Sequence, residues 1–277
     1  MYNILLYNVT INMKSLPSLH ELISLKGKHA LITGSAAGIG KAIAHRFAEA
    51  GATLSLVDID GDNLTRTEHE LAESGTDVRS HVVDLSDKSA IDRLWANLGG
   101  NEPDILVNNA GIYPFKHFLD MGEPLYRQVM KANQDSVYWM CQLMIGKRMQ
   151  LGGVIINIGS TDGIQPFKEE LSHYSMSKAG VIALTKTLAK EYANHGFRVN
   201  AIVPGAIRPP DAKATSKQIL KGKFGVLKTG LEYMHRLPVG RLGRSDEVAR
   251  MALVLASDLS GYVYGAVIPV DGGFLSG

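Results

Sequence analysis

Cysteine is nearly absent. Cys141 stands alone among 277 residues, so no disulfide can form within the chain. That excludes a small disulfide-built secreted scaffold and suits a reducing compartment such as the cytoplasm. Cys141 follows Tyr138, Trp139 and Met140, and in that apolar run it reads as a small buried filler rather than a nucleophile. Net charge is also close to absent. Lys and Arg number 29 against 27 Asp and Glu, leaving +2, so there is no electrostatic case for a nucleic-acid or membrane partner. No apolar run is long enough to cross a bilayer. The segment Met1 to Met13 contains Ile4, Leu5 and Leu6 but has neither a basic n-region nor a small-residue cleavage site, so it does not read as a signal peptide. A flexible arm, a docking segment and an upstream extension of a chain starting at Met13 all stay open. The nine histidines have no H-E-x-x-H-type spacing, and no metal is expected.

The chain does have a regular alternation of short apolar runs and longer helical stretches. Strands are expected at 29–33, 53–57, 78–83, 105–107, 154–158, 198–203 and 266–270. Helices are expected at 41–49, 64–72, 90–98, 130–149, 173–195 and 246–255, with Gly51, Gly99 and Gly196 as stops. Solid apolar strands are buried on both faces, which predicts an α/β fold. The expected form is a Rossmann-type, doubly wound parallel sheet of about seven strands with helices on both faces, binding ligands at the carboxyl ends of the strands. Residues 1–25 read as an N-terminal extension and 26–277 as one dinucleotide-binding and catalytic domain. Within it, 208–235 breaks the rhythm with Pro209, Pro210 and many lysines, and reads as a mobile substrate lid or as disorder.

Thr33-Gly34-Ser35-Ala36-Ala37-Gly38-Ile39-Gly40 joins the first strand to the first long helix. Glycines there let the backbone approach a pyrophosphate, and the helix start supplies free N–H groups and positive potential. A tight turn needing positive φ would carry the same glycines, but the strand-turn-helix placement favours the phosphate site. Asp58 closes the second strand about 20 residues further on, where such folds hold the adenosine ribose. Its carboxylate accepts ribose hydroxyls and repels a 2′-phosphate. Asp60 follows, position 37 is Ala, and no nearby cation is on offer, so NAD is favoured over NADP. The competing reading of Asp58 is a cap for the next helix.

Tyr174 and Lys178 sit four apart at the start of the long second-half helix and share one face. A free phenol titrates near pH ~10. A nearby ammonium should lower that value and make the pair a general acid/base. Ser160 follows the strand at 154–158, on the same rim as the glycine turn, where a hydroxyl can hold a substrate oxygen as charge develops; a turn cap is the alternative. Asn133 interrupts an apolar helix, so it either bends that helix or joins a proton path.

These residues together resemble the short-chain dehydrogenase/reductase family, over 26–277. The match runs through Thr33-Gly34-x-x-x-Gly38-x-Gly40, Asp84-Leu85, Asn108-Asn109-Ala110-Gly111, Asn133, Ser160 and Tyr174-x-x-x-Lys178. It continues through Asn200, Pro204-Gly205, Arg241-Leu242-Gly243 and Val270-Asp271-Gly272-Gly273. The resemblance implies an oxidoreductase with a tetrad of Asn133, Ser160, Tyr174 and Lys178. Tyr174 exchanges the alcohol proton, Lys178 holds the nicotinamide ribose, Ser160 orients the substrate oxygen and Asn133 anchors a water. It also implies contacts from Asp84 and Leu85 to adenine, Asn109 to the ribose, Ile207 to the carboxamide, and further cofactor contacts from Ala110, Gly111, Pro204 and Gly205. A homotetramer, or else a homodimer, is the implied assembly. Two departures stand out: Ser160 and Tyr174 are one residue further apart than is usual, and Pro209 replaces a frequent Thr.

The substrate pocket is expected to include Tyr113, Asp162, Gln165, Phe167, Glu169 and His173. Their polarity suggests a sugar, polyol or other hydroxylated small molecule. The lid cations Arg208, Lys213, Lys217, Lys221, Lys223 and Lys228 are either a solvated face or a preference for an anionic substrate. A 3-oxoacyl reductase acting on acyl-carrier-linked substrates, a non-catalytic dinucleotide-binding subunit and a sugar-nucleotide epimerase are the alternatives.

Overall fold

The computed structural model describes residues 16–208 and 236–276. Residues 1–15, and the expected lid from Pro209 to residue 235, lie outside the described residues. Seven parallel strands form one sheet in the order β3-β2-β1-β4-β5-β6-β7. They are β1 (His29–Thr33), β2 (Thr53–Asp58), β3 (Val78–Val82), β4 (Ile105–Asn108), β5 (Gly153–Ile158), β6 (Phe197–Pro204) and β7 (Val267–Val270).

The helices are α1 (Leu19–Ile23), α2 (Gly38–Glu49), α3 (Gly61–Glu73), α4 (Lys88–Asn97), α5 (Glu123–Met130), α6 (Ser136–Arg148), α7 (Ser172–Tyr192) and α8 (Ser245–Ala256). They cover both faces. Ala30 and Ile32 pack with Ile43, Phe47, Leu64 and Val248 of α2, α3 and α8. Leu31 packs the opposite way, with Ile91, Trp95, Met140 and Val181 of α4, α6 and α7. This is the period-2 alternation of a strand sandwiched between two apolar layers. Each fully buried Leu or Ile there contributes about 1.5–3 kcal/mol.

The inner strands β1, β4 and β6 are buried along their whole length. The edges differ as edges should. β3 exposes Arg79 and Val82, and β7 carries Pro269, whose missing N–H an edge strand tolerates. Gly196 ends the α7 segment with φ +78, as its sequence position predicts. Arg198 is buried at 8% exposure and donates to the Ala256, Ser257 and Ser260 carbonyls, closing the last turn of α8 onto β6.

Two regions differ from the sequence reading, while Cys141 is the buried filler it was expected to be. Leu25, placed in the extension, is 1% exposed, belongs to the α2/α8 core and donates its N–H to Ala50. The short α1 before it is held by a capping box of Ser18 and Glu21. The helix expected at 130–149 begins earlier, at Glu123, with Pro124 in its first turn, and it opens into a π turn over Lys131–Asp135. That turn centres on Asn133, whose side chain is committed elsewhere. Cys141 is buried, and burial pushes its thiol up to about 12, which leaves it a protonated filler.

Candidate active site

Strand order reverses between β1 and β4, because their chains leave toward opposite sides of the sheet. A groove of about 720 Å3 opens at the carboxyl ends of the strands there. One end is made by the glycine turn. Gly34 has φ +65, and a Cβ on it would lie 2.7 Å from Asn109 Nδ2, so this position takes only glycine. Asn109 bridges the loops after β1 and β4 by donating from Nδ2 to the Thr33 and Gly34 carbonyls. The Thr33 hydroxyl accepts from the Asn109 and Ala110 N–H groups. Gly38 also has positive φ, and a Cβ there would meet nothing within 4 Å. The start of α2 therefore faces open space with its amide groups free of side-chain cover.

Asp58 lines the same end of the groove. It does not cap α3; Asp60 does, accepting from the Asn63 N–H. Asp58 instead accepts the Ala36 N–H at 2.9 Å and the Asp60 N–H at 3.1 Å, tying the glycine turn to the end of β2.

The far end of the groove holds Ser160, Tyr174 and Lys178 together. Ser160 closes β5 and caps a single 3-10 turn, its hydroxyl accepting the Asp162 N–H at 3.1 Å. Tyr174 lies on the first turns of α7 and Lys178 one turn on, with Nζ 5.9 Å from the phenol ring centre. Lys178 Nζ donates to the Ile158 carbonyl at 2.8 Å, binding α7 to the end of β5. Burial pushes Lys178 down to about 8. Burial also pushes Tyr174 up to about 12, a hydrogen bond with Ser160 works against that, and the charges of Asp162 and Tyr113 add to it. The expected depression of Tyr174 by Lys178 is thus reversed by the chain's own groups. Both partners are desolvated, and for the phenol that burial is the largest effect, with the Asp162 carboxylate adding to it.

The groove lining includes Gly34, Gly38, Ile39, Asp58, Asp84, Leu85, Asn109, Ala110, Gly111, Tyr113, Ser160, Asp162, Tyr174, Lys178, Pro204, Gly205 and Ile207. Several other predicted residues are elsewhere. Ser35 is fully buried, with its hydroxyl on the Val57 carbonyl, and Ala36 and Gly40 are packed beneath the turn. Gln165 and Glu169 are exposed outside the groove. Phe167 stacks edge-on against Phe274 in a separate small cluster. His173 is not solvated: it is 3% exposed, and its Nε2 pairs with the Pro114 carbonyl at 2.9 Å. It anchors the loop that sets Tyr113 edge-on to Tyr174, 6.1 Å between ring centres. Asn133 is fully buried behind the groove wall. Its Oδ1 accepts the Ile112 N–H at 2.8 Å, and Nδ2 donates to the Ile112 carbonyl at 2.8 Å and to Ser177 at 3.2 Å.

Gln128, Lys168 and Leu171 line the groove without having been expected. Gln128 lies on α5, and the signal for that helix was Pro124 just inside its start. Among the described residues, no group of three or more His, Cys, Asp or Glu comes together to hold a metal. No helix among them is long and apolar enough to cross a membrane.

A parallel sheet in this order, with a glycine turn at the switch point and a Tyr-Lys pair beside a serine, defines a dinucleotide-dependent oxidoreductase. The chain belongs to the short-chain dehydrogenase/reductase family. Residues 34–275 match a family model described as enoyl-(acyl carrier protein) reductase. The chain is 38% identical over 256 residues to a 3-oxoacyl-(acyl-carrier-protein) reductase of Thermotoga maritima, covering 91% of this chain and 99% of that protein. It is also 38% identical over 264 residues to a 2-dehydro-3-deoxy-D-gluconate 5-dehydrogenase of Bacillus subtilis, covering 93% and 98%. Its structure superposes on L-sorbose reductase from Gluconobacter frateurii, solved with NADPH and L-sorbose, with TM-score 0.85, 31% identity, and coverage of 92% of this chain and 99% of that one.

Proposed function

We propose that the protein is an NAD-dependent dehydrogenase interconverting a secondary alcohol and its ketone, with a sugar, polyol or other hydroxylated small molecule as substrate. The observation that carries this reading is a single groove with Ser160, Tyr174 and Lys178 at one end and the glycine turn with Asp58 at the other. The glycine end fits a dinucleotide. Gly38 leaves the start of α2 uncovered, so its amides are free for phosphate oxygens, and Asp58 stands where ribose hydroxyls need an acceptor. Asp84, Leu85, Asn109 to Gly111, Pro204, Gly205 and Ile207 all line the groove; Asp84 and Leu85 would hold the adenine, Asn109 to Gly111 the ribose, and Pro204, Gly205 and Ile207 the nicotinamide. When bound, the nicotinamide exchanges the hydride and, in its oxidised form, adds positive charge beside the phenol.

The chain's own residues handle the proton. Burial keeps Tyr174 protonated in the chain alone, ready to donate to a ketone oxygen; in alcohol oxidation it would first release that proton to solvent, aided by the positive charge of Lys178 and of the oxidised nicotinamide, and then accept the alcohol proton. Ser160 holds that oxygen from the β5 side. Lys178, fixed on the Ile158 carbonyl, presents its remaining donors to ribose hydroxyls. Asp58 favours NAD because a carboxylate repels a 2′-phosphate, although the similar L-sorbose reductase was solved with NADPH. A 3-oxoacyl reductase is the second reading, favoured by the 38% identity to the Thermotoga protein.

The test is the initial rate of NAD and NADP reduction across aldoses, polyols, secondary alcohols and 3-hydroxyacyl compounds, for wild type and Tyr174→Phe. NAD-linked turnover of hydroxylated compounds is expected, nearly abolished in Tyr174→Phe while NAD still binds. Preference for NADP with 3-hydroxyacyl substrates would move the assignment to the second reading. Near-normal turnover in Tyr174→Phe would sink the proton role.

A further inference from the structure

Among the described residues, Asp162 is the one carboxylate in the catalytic end of the groove. It is only 8% exposed, yet it lines the groove beside Ser160 and Tyr174. Its local bonds are poor. Oδ1 accepts the Phe167 N–H at 3.4 Å, and Oδ2 lies 3.5 Å from the Ser160 hydroxyl. Charge-assisted bonds to a carboxylate usually run near 2.5–2.9 Å, and a carboxylate has about four lone-pair sites. Desolvated acceptor capacity therefore remains at the groove wall, and a buried carboxylate left so is costly unless a donor reaches it. Among the described residues no cation comes within ion-pair distance of it. Lys178 is turned onto the Ile158 carbonyl; Lys168 and Arg208 also line the groove.

We propose that Asp162 is the specificity-determining residue of this site. Its carboxylate accepts a hydrogen bond from a hydroxyl on the carbon next to the reacting one, selecting neutral vicinal polyols and hydroxyketones and rejecting substrates with a carboxylate there. This rests on the preceding reading, in which the reacting oxygen sits on Ser160 and Tyr174. Ser160 Oγ and Asp162 Oδ2 are close enough to take the two oxygens of one vicinal diol. A substrate carboxylate would meet a like charge in a desolvated wall. A substrate ammonium is disfavoured in turn by Lys178 in the same groove. The Asp162 charge also raises the Tyr174 pKa, so a donor placed on it acts on the same proton the reaction moves. The chain then departs from its gluconate-type relative and sides with neutral-sugar chemistry.

The experiment compares kcat and KM with NAD for three matched substrates: a vicinal polyol, the same skeleton lacking the neighbouring hydroxyl, and the corresponding sugar acid. Wild type, Asp162→Asn and Asp162→Ala are each read as ratios between substrates, with the melting temperature and NAD binding as controls of folding. Wild type should favour the polyol over its deoxy partner by about tenfold to a hundredfold in kcat/KM, the worth of one charge-assisted hydrogen bond. That ratio should collapse in Asp162→Ala, and Asp162→Asn should gain on the sugar acid relative to the polyol. Ratios unchanged in both variants, or a wild-type preference for the sugar acid, would overturn the proposal and leave the dehydrogenase reading standing. If no hydroxylated compound is turned over by a wild type that binds NAD, the dehydrogenase reading fails first and takes this one with it.

Discussion

Replacing Asn133 with Ala separates two roles that look alike in sequence. In the structure both ends of the Asn133 amide are spent on the Ile112 peptide, at 2.8 Å each, with a third bond to Ser177. Gly111 lies against it, a Cβ there falling 3.1 Å from Asn133 Oδ1. The side chain is thus a clamp on the groove wall at 109–113. Alanine would orphan one N–H and one carbonyl, each costing about 1–3 kcal/mol when buried. Ile112 is only partly buried and water can reach it, so the lower half of that range applies. A loss of about 2–4 kcal/mol follows, or roughly 4–16 °C in melting temperature for a chain of this size. Thermal melting and kcat/KM should fall together, and Asn133→Asp, which keeps the acceptor but faces the Ile112 carbonyl without a donor, should recover little. An Asn133→Ala protein that melts like wild type but turns over a hundredfold more slowly would refute the clamp. The residue would then act on the proton path.

The buried His29 and half-buried His81 should make the fold acid-sensitive. Burial lowers both pKa values, so the unfolded chain takes up protons first. Their contribution is complete above the unfolded value of about 6.5 and is lost as pH falls below it. Melting temperatures from pH 8 to 5 should decline in that window and decline less in His29→Gln; identical slopes would dismiss His29 as a cause. Gly38→Ala and Gly40→Ala should part company. A Cβ on Gly40 would lie 2.1 Å from the Gly34 carbonyl oxygen, whereas one on Gly38 enters the groove. Gly40→Ala should therefore lower the yield of folded protein, while Gly38→Ala, strained by its positive φ but free of clashes, should fold with a smaller loss and weaken NAD binding, read by calorimetry. Equal melting temperatures for Gly40→Ala and wild type would contradict the packing argument.

Much of the scaffold was legible before folding, because it depends on neighbours in sequence. Solid apolar runs such as Ile105 to Val107 and Val154 to Ile158 announced strands buried on two faces, and Gly196 stopped its helix where its position said it would. The glycine turn and the Tyr174–Lys178 spacing were equally local, and so was their placement on one rim, since parallel strands put all their carboxyl ends together. Helix α5 was missed although Pro124 marked its start, because it is only eight residues long.

Tertiary structure decided what each polar side chain is free to do. Asn133 meets Ile112 and His173 meets Pro114 across long sequence separations, so nothing local shows that the Asn133 amide and the His173 Nε2 are already engaged. Ser35, inside the glycine motif, turns inward to Val57, while Asp58 leaves the capping of α3 to Asp60 and faces the groove. The direction of the Tyr174 shift also needed three dimensions. A lysine one turn away argues for a lower pKa, but burial and the approach of Asp162 and Tyr113 set the opposite sign. Motif and periodicity thus determine which chemical groups reach the rim. Desolvation and long-range hydrogen bonding determine which of them remain available for chemistry, because both depend on what the rest of the chain packs around each group.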